Sequence, residues 1–91
     1  MSDEYKTKIK LNLKKAQGQI KLIEKMVDED RYCIDVAQQI NAAIGLFKKI
    51  NNNILENHLQ TCGTHRLGSK NQKDKDDFVQ ELIKTFNLAG K

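Results

Sequence analysis

The chain has 91 residues, a formal net charge of +4, two cysteines and no proline. That length suits one small domain, 1–91, with a modest core, so self-association is the first expectation. No apolar run approaches the roughly 18 residues needed to cross a bilayer, and the opening MSDEYKTKIK lacks the apolar stretch of a secretory signal, so no membrane partner and a cytoplasmic location are expected.

The first predicted helix spans about residues 5–28. Ile9, Leu13, Ala16, Ile20, Ile23 and Val27 recur there at alternating spacings of three and four, and Leu11 and Met26 widen the stripe. Seven lysines stand between Tyr5 and Lys25 against one acid, Glu24, and a positive stripe of this kind suits a polyanion. Asp28, Glu29 and Asp30 read as the approach to a second helix, with Asp30 as its cap.

The second predicted helix, about 31–62, repeats the spacing at Cys33, Val36, Ile40, Ala43, Phe47, Ile50 and Ile54. Ala37, Ile44, Leu55 and Leu59 add a second apolar edge. Asn51, Asn52 and Asn53 are poor helix residues and the main candidate for a break. From Arg66 to Lys75 the chain is polar and reads as a loop, and a short helix follows over about 74–86, started by Ser69, Asn71 or Asp74, with Phe78, Val79, Leu82, Ile83 and Phe86 inward. The expected architecture is all-α: a three-helix protomer with one long central helix that projects beyond the others. Antiparallel pairing of two chains, and pairing of the pairs, would cover its apolar edge.

Cys33, His58 and Cys62 are the residues that could carry chemistry. In a reducing compartment two cysteines point to metal or thiol chemistry before a structural disulfide. His58 and Cys62 are four apart, so on a helix they lie one above the other. Cys33 precedes Cys62 by 29 residues, roughly 43 Å along an unbroken helix, and cannot reach its own chain's pair. In an antiparallel dimer, Cys33 of one chain meets His58 and Cys62 of the other. Two thiolates and one imidazole form a soft, low-coordinate set that favours Cu(I), or Zn(II) if a fourth ligand such as His65 joins. Tyr32, beside Cys33, and Glu81, on the last helix, are candidates to support the ligands from outside. The same two thiols also permit a different chemistry with no cofactor, persulfidation followed by an interprotomer disulfide or polysulfide bridge. No glycine-rich phosphate cradle, no close pair of carboxylates in an apolar setting and no HExxH helix occurs, so no enzyme is expected.

The stretch KKAQGQIKLIEKMVDEDRYCIDVAQQINAAIG and the later ILENHLQTC resemble the copper-sensitive operon repressor family, whose members also include nickel or cobalt, formaldehyde and persulfide sensors. Gly18 with Gln19, RYCID at 31–35 and HLQTC at 58–62 carry the resemblance most sharply. It implies a disc-like dimer of dimers without a helix-turn-helix reading head, with Cys33 from one protomer and His58 and Cys62 from the other as ligands. The Cys, His, Cys pattern resembles the trigonal Cu(I) subtype, because nickel and cobalt sensors need further histidines and none precedes His58 here. The resemblance also implies a homotetramer that binds operator DNA in its ligand-free, reduced form and leaves on capturing Cu(I), with persulfide sensing through Cys33 and Cys62 as the alternative. Lys10, Lys14, Lys15 and Lys49 are expected on the DNA face, where lysine gives a point charge rather than arginine's bidentate fork, and Gln19 in a structural or signalling role.

Overall fold

The computed structural model describes residues 1–86, and among these the chain is helical with no strand. Two helices of equal length, α1 (Asp3–Asp28) and α2 (Cys33–His58), form an antiparallel hairpin. A π-helical turn, Leu59–Gly63, continues α2 into the single turn α3 (Thr64–Leu67), and α4 (Gln72–Phe86) folds back on α3. The expectation of one long central helix beside two shorter ones therefore needs amending. As a regular helix α2 is no longer than α1, and the extra length is the π turn and α3.

The link between α1 and α2 is shaped by Asp30. Its φ of 53° is left-handed, the amide of Arg31 donates to the Met26 carbonyl at 2.9 Å, and that of Asp30 donates to Val27 at 3.1 Å. This paired pattern closes a helix C-terminus, where glycine is the usual residue and aspartate a tolerated one. Asp30 thus ends α1 rather than capping α2, and Tyr32 takes the position before the first turn of α2.

The three asparagines do not interrupt α2. Irregularity comes later, where the Thr61 hydroxyl donates to the Asn57 carbonyl at 2.8 Å and the Thr64 hydroxyl to the Thr61 carbonyl at 2.9 Å. Hydroxyls that bond back to carbonyls of the preceding turn loosen the regular ladder, and Gly63 adds a poor helix former at the same place. At the start of α4, Asn71 Oδ1 accepts from the Lys73 amide at 3.0 Å, which selects Asn71 among the three candidate caps.

The α1–α2 seam is formed by Tyr5, Ile9, Asn12, Ala16 and Met26 against Ala43, Ile50 and Asn57, with Leu46 and Ile54 packed beside Tyr5, Ile9 and Ile50. It is partly polar. Asn57 Oδ1 accepts from the Ser2 amide at 3.1 Å, whereas the Gln19 side-chain oxygen is buried with no partner. The single stripes read from sequence divide in two here: Val36, Ala43 and Ile50 turn inward with Ile9, Ala16 and Ile23, while Leu13, Ile20, Val27, Ile40, Ile44 and Phe47 stay exposed. The described chain extends 58 × 30 × 12 Å with a radius of gyration of 17.6 Å, against about 12 Å for a compact chain of this size. It is a single layer of helices, and one layer cannot cover its own apolar faces.

Candidate inducer site and nucleic-acid face

Cys33 occupies the first turn of α2, and His58 closes the same helix. Both cysteines are free thiols and exposed. Among the described residues of one chain, no three His, Cys, Asp or Glu side chains converge on a metal-sized site. Cys33 and the His58–Cys62 pair are held roughly 40 Å apart by the helix itself. They nevertheless share a flank. Cys33, Ala37, Ile40, Ile44 and Phe47 follow one another at steps of three and four, and His58 lies eleven residues past Phe47, close to three whole turns. The exposed apolar stripe of α2 thus carries a thiol at one end and an imidazole at the other.

At the second end the surroundings are specific. The His58 ring lies 5.3 Å from the ring of Phe78, the most deeply buried side chain of the described chain, at 0 % exposure. The guanidinium of Arg66 lies 5.0 Å from the same ring and donates to Glu81 Oε2 at 2.7 Å. A cleft of about 180 Å³ is lined by Ile54, His58, Glu81, Leu82, Thr85 and Phe86. The structure therefore brings Glu81 to the cleft of His58, with Arg66 as its ion-pair partner. Phe78 Cζ and the His58 carbonyl both lie 3.4 Å from where a Cβ on Gly63 would stand, so the ring packs in ordinary contact distance of the backbone beside Cys62. Tyr32 is exposed at the far end next to Cys33, and His65 is exposed on α3. Neither joins the His58 cleft in the single chain.

The two sulfur donors and one imidazole nitrogen suit a soft, low-coordinate cation, provided two chains supply them. Arg66 and the contact of Phe78 with His58 were not read from sequence. Nothing in local spacing relates residues 58, 66 and 78, which meet only because α4 folds back.

The opposite flank of the hairpin is basic. Lys15 of α1 and Lys49 of α2 line one groove of about 280 Å³ together with Lys8, Leu11, Asn12 and Asn53. Lys10 and Lys14 line a second groove along α1, of about 550 Å³, with Thr7, Leu11, Leu13 and Gln17. The four expected lysines thus form two groups on either side of Leu11: Lys15 and Lys49 on this flank, and Lys10 and Lys14 on the outer edge of α1, where their groove reaches Leu13 of the apolar side. Lys8 was missing from the expected set, although its place seven residues before Lys15 puts it on the same face. Its ammonium also lies 5.5 Å from the Tyr5 ring centroid. Gln19 is not on this surface, since its side-chain oxygen is buried.

Residues 5–87 match the family model described as metal-sensitive transcriptional repressor. The copper-sensing transcriptional repressor CsoR of Bacillus subtilis is 33% identical over 85 residues, which cover 93% of this chain and 81% of that protein. CsoR of Mycobacterium tuberculosis is 40% identical over 79 residues, 86% of this chain and 66% of that protein. The copper-sensing transcriptional repressor RicR of Mycobacterium tuberculosis is 40% identical over 52 residues, 57% of this chain and 54% of that protein. No solved structure matches. Such a family is a class of DNA-binding regulators rather than of enzymes, and no helix among the described residues is long and apolar enough to cross a membrane. With the match running through the hairpin, the His58 end and α4, the chain belongs to the metal-sensitive transcriptional repressor family.

Proposed function

We propose that this protein is a copper-responsive repressor, a homodimer pairing into a homotetramer, which holds operator DNA in its ligand-free form and releases it when Cu(I) is captured between two copies. Cys33 of one protomer and His58 and Cys62 of its partner are the ligands. The observation that carries the reading is the flank those residues share: the apolar stripe that one helical layer leaves uncovered ends in Cys33 on one side and in His58 on the other. Two copies laid antiparallel along it bury Ile40, Ile44 and Phe47 and bring each thiol to the opposite pair. Full burial of one such side chain is worth about 1.5–3 kcal/mol, and these three are already about half buried in the single chain, so each adds roughly half of that in favour of pairing. The soft donor set supports copper, as do the copper-sensing relatives. The persulfide alternative finds no support in those relatives.

In this reading Tyr32 of one chain is carried with Cys33 to the partner's His58 cleft, where Glu81 already stands, and both support the ligands from outside. Lys8, Lys15 and Lys49 face phosphate on the other flank, and Lys10 and Lys14 extend that surface around the outer edge of α1. Capture at one flank and DNA at the other are then linked through the dimer they share.

The test is an anaerobic titration of the reduced protein on its own upstream DNA, read by anisotropy against chelator-buffered Cu(I). Release at about one Cu(I) per protomer is expected. Cys33→Ser and Cys62→Ser proteins should each fail to respond, yet a mixture of the two should regain part of the response, because one intact site forms per mixed dimer. If mixing restores nothing, the ligands do not come from two chains.

A further inference from the structure

Resting on that reading of the site, we infer that Arg66 is a positioning residue of inducer capture: its guanidinium holds and neutralises the Glu81 carboxylate beside His58, so that a site which becomes negative on binding can form there.

When Cu(I) is captured, two S–Cu bonds and one N–Cu bond form, and the two thiol protons go to solvent. Two thiolates, a neutral imidazole and one Cu(I) leave a net charge of −1 where the empty site was neutral. A carboxylate lining the same cleft opposes that change unless its charge is cancelled. In this chain it is cancelled by Arg66, at 2.7 Å from Glu81 Oε2. The pair is fixed from a second direction, since the guanidinium also lies over Phe78, whose ring contacts His58. With side chains 33% and 48% exposed, the pair is screened but not free in solvent. A carboxylate has four acceptor positions, so Arg66 orients Glu81 without using it up.

A charge role must be separated from a scaffold role, because Arg66 also ties α3 to α4. Cu(I) affinity is measured by chelator competition for the wild-type protein and for Arg66→Ala, Arg66→Lys and Arg66→Ala combined with Glu81→Gln, each checked for helical content. Arg66→Ala should weaken capture by roughly three- to ten-fold at low salt, as expected for one uncompensated charge at several ångströms. Arg66→Lys should stay near wild type, and the double variant should bind more tightly than Arg66→Ala, because the uncompensated charge is gone while the glutamine still offers an acceptor oxygen. The deficit of the single variant should shrink at about 0.5 M salt, where exposed charges are screened. A double variant as weak as the single, or a deficit indifferent to salt, would mean that Arg66 only holds α4 in place and would overturn the inference. Wild-type protein that binds Cu(I) alongside an unaffected Arg66→Ala protein also overturns it, leaving the copper reading intact, whereas wild-type protein that binds no Cu(I) removes both.

Discussion

The two flanks of the α1–α2 hairpin are built from the same two helices and the same three-and-four spacing, yet they carry opposite chemistry. On one side Leu13, Ile20 and Val27 lie with Ile40, Ile44 and Phe47, all exposed. On the other, Lys8 and Lys15 face Lys49 and Asn53 across a groove. Between them runs a thin seam whose members, Asn12, Gln19 and Asn57 among them, are partly polar. Under the proposed function, a change in the pairing of the apolar flank reaches the basic groove across this one seam. In that reading the apolar flank carries assembly and inducer capture, and the basic flank carries polyanion binding.

The sharpest way to break the comparison is to place a charge on the apolar flank. Phe47→Glu should abolish self-association, seen as a drop in mass by light scattering. It should remove high-affinity Cu(I) binding as well, although no ligand is altered, because burying an unpaired carboxylate is costly and the antiparallel pair cannot form. A variant that remains fully assembled would show that this flank is not the interface.

Phe78→Ala tests whether the end of the stripe depends on α4. Removing a fully buried ring costs about 3–5 kcal/mol. Thermal unfolding should report the loss, and limited proteolysis should cut first between residues 68 and 72 as α4 detaches. Uniform destabilisation, without early cleavage there, would mean that α4 is held by other contacts.

On the basic flank the expected effect is smaller and of another kind. Lys15→Ala should weaken operator binding several-fold and reduce the salt slope by about one, with Cu(I) affinity little changed. Combining it with Lys49→Ala should deepen both effects, since the two line one groove. Unaltered DNA affinity would move the contact surface away from that groove.

Two further substitutions probe the seam and the turn. Gln19→Leu removes a buried carbonyl that has no partner and should raise stability by about 1 kcal/mol, read from the thermal midpoint. If the protein is more stable but DNA release is blunted, Gln19 serves the switch at the expense of the fold. Asp30→Gly should gain about 0.5–1 kcal/mol, because glycine meets the left-handed φ of 53° without strain. No gain would indicate that the aspartate side chain offsets the conformational cost locally.

Much of the fold is legible in the amino-acid order. The absence of proline and the periodic apolar residues dictate helices, because a three-and-four spacing is satisfied by no other regular backbone. The inability of Cys33 to reach His58 and Cys62 in its own chain is a consequence of helix rise alone, whereas the four-residue spacing of His58 and Cys62 falls on the π turn rather than on regular α-helix. What spacing could not do was divide the stripe. Val36, Ala43 and Ile50 lie inward, while Cys33, Ile40 and Phe47 face out, although they alternate in one series, because a wide apolar surface does not state which part meets its own chain. Asp30 looked like the start of α2 and proved to be the end of α1, since aspartate is suited both to capping and to the left-handed conformation. The three asparagines looked like a break, whereas the irregular turn sits at Leu59–Gly63, where threonine hydroxyls compete for the helix carbonyls.

By itself, then, the sequence determined the helical class, the candidate ligand types and their spacing, and the basic character of α1, because each depends only on local geometry or composition. Only the tertiary structure decided which side of α2 is left uncovered, that Lys49 joins Lys8 and Lys15 in one groove, and that Phe78, Arg66 and Glu81 gather at His58. Those contacts join residues distant along the chain, and they depend on how α1 and α4 fold against α2, which no local spacing encodes.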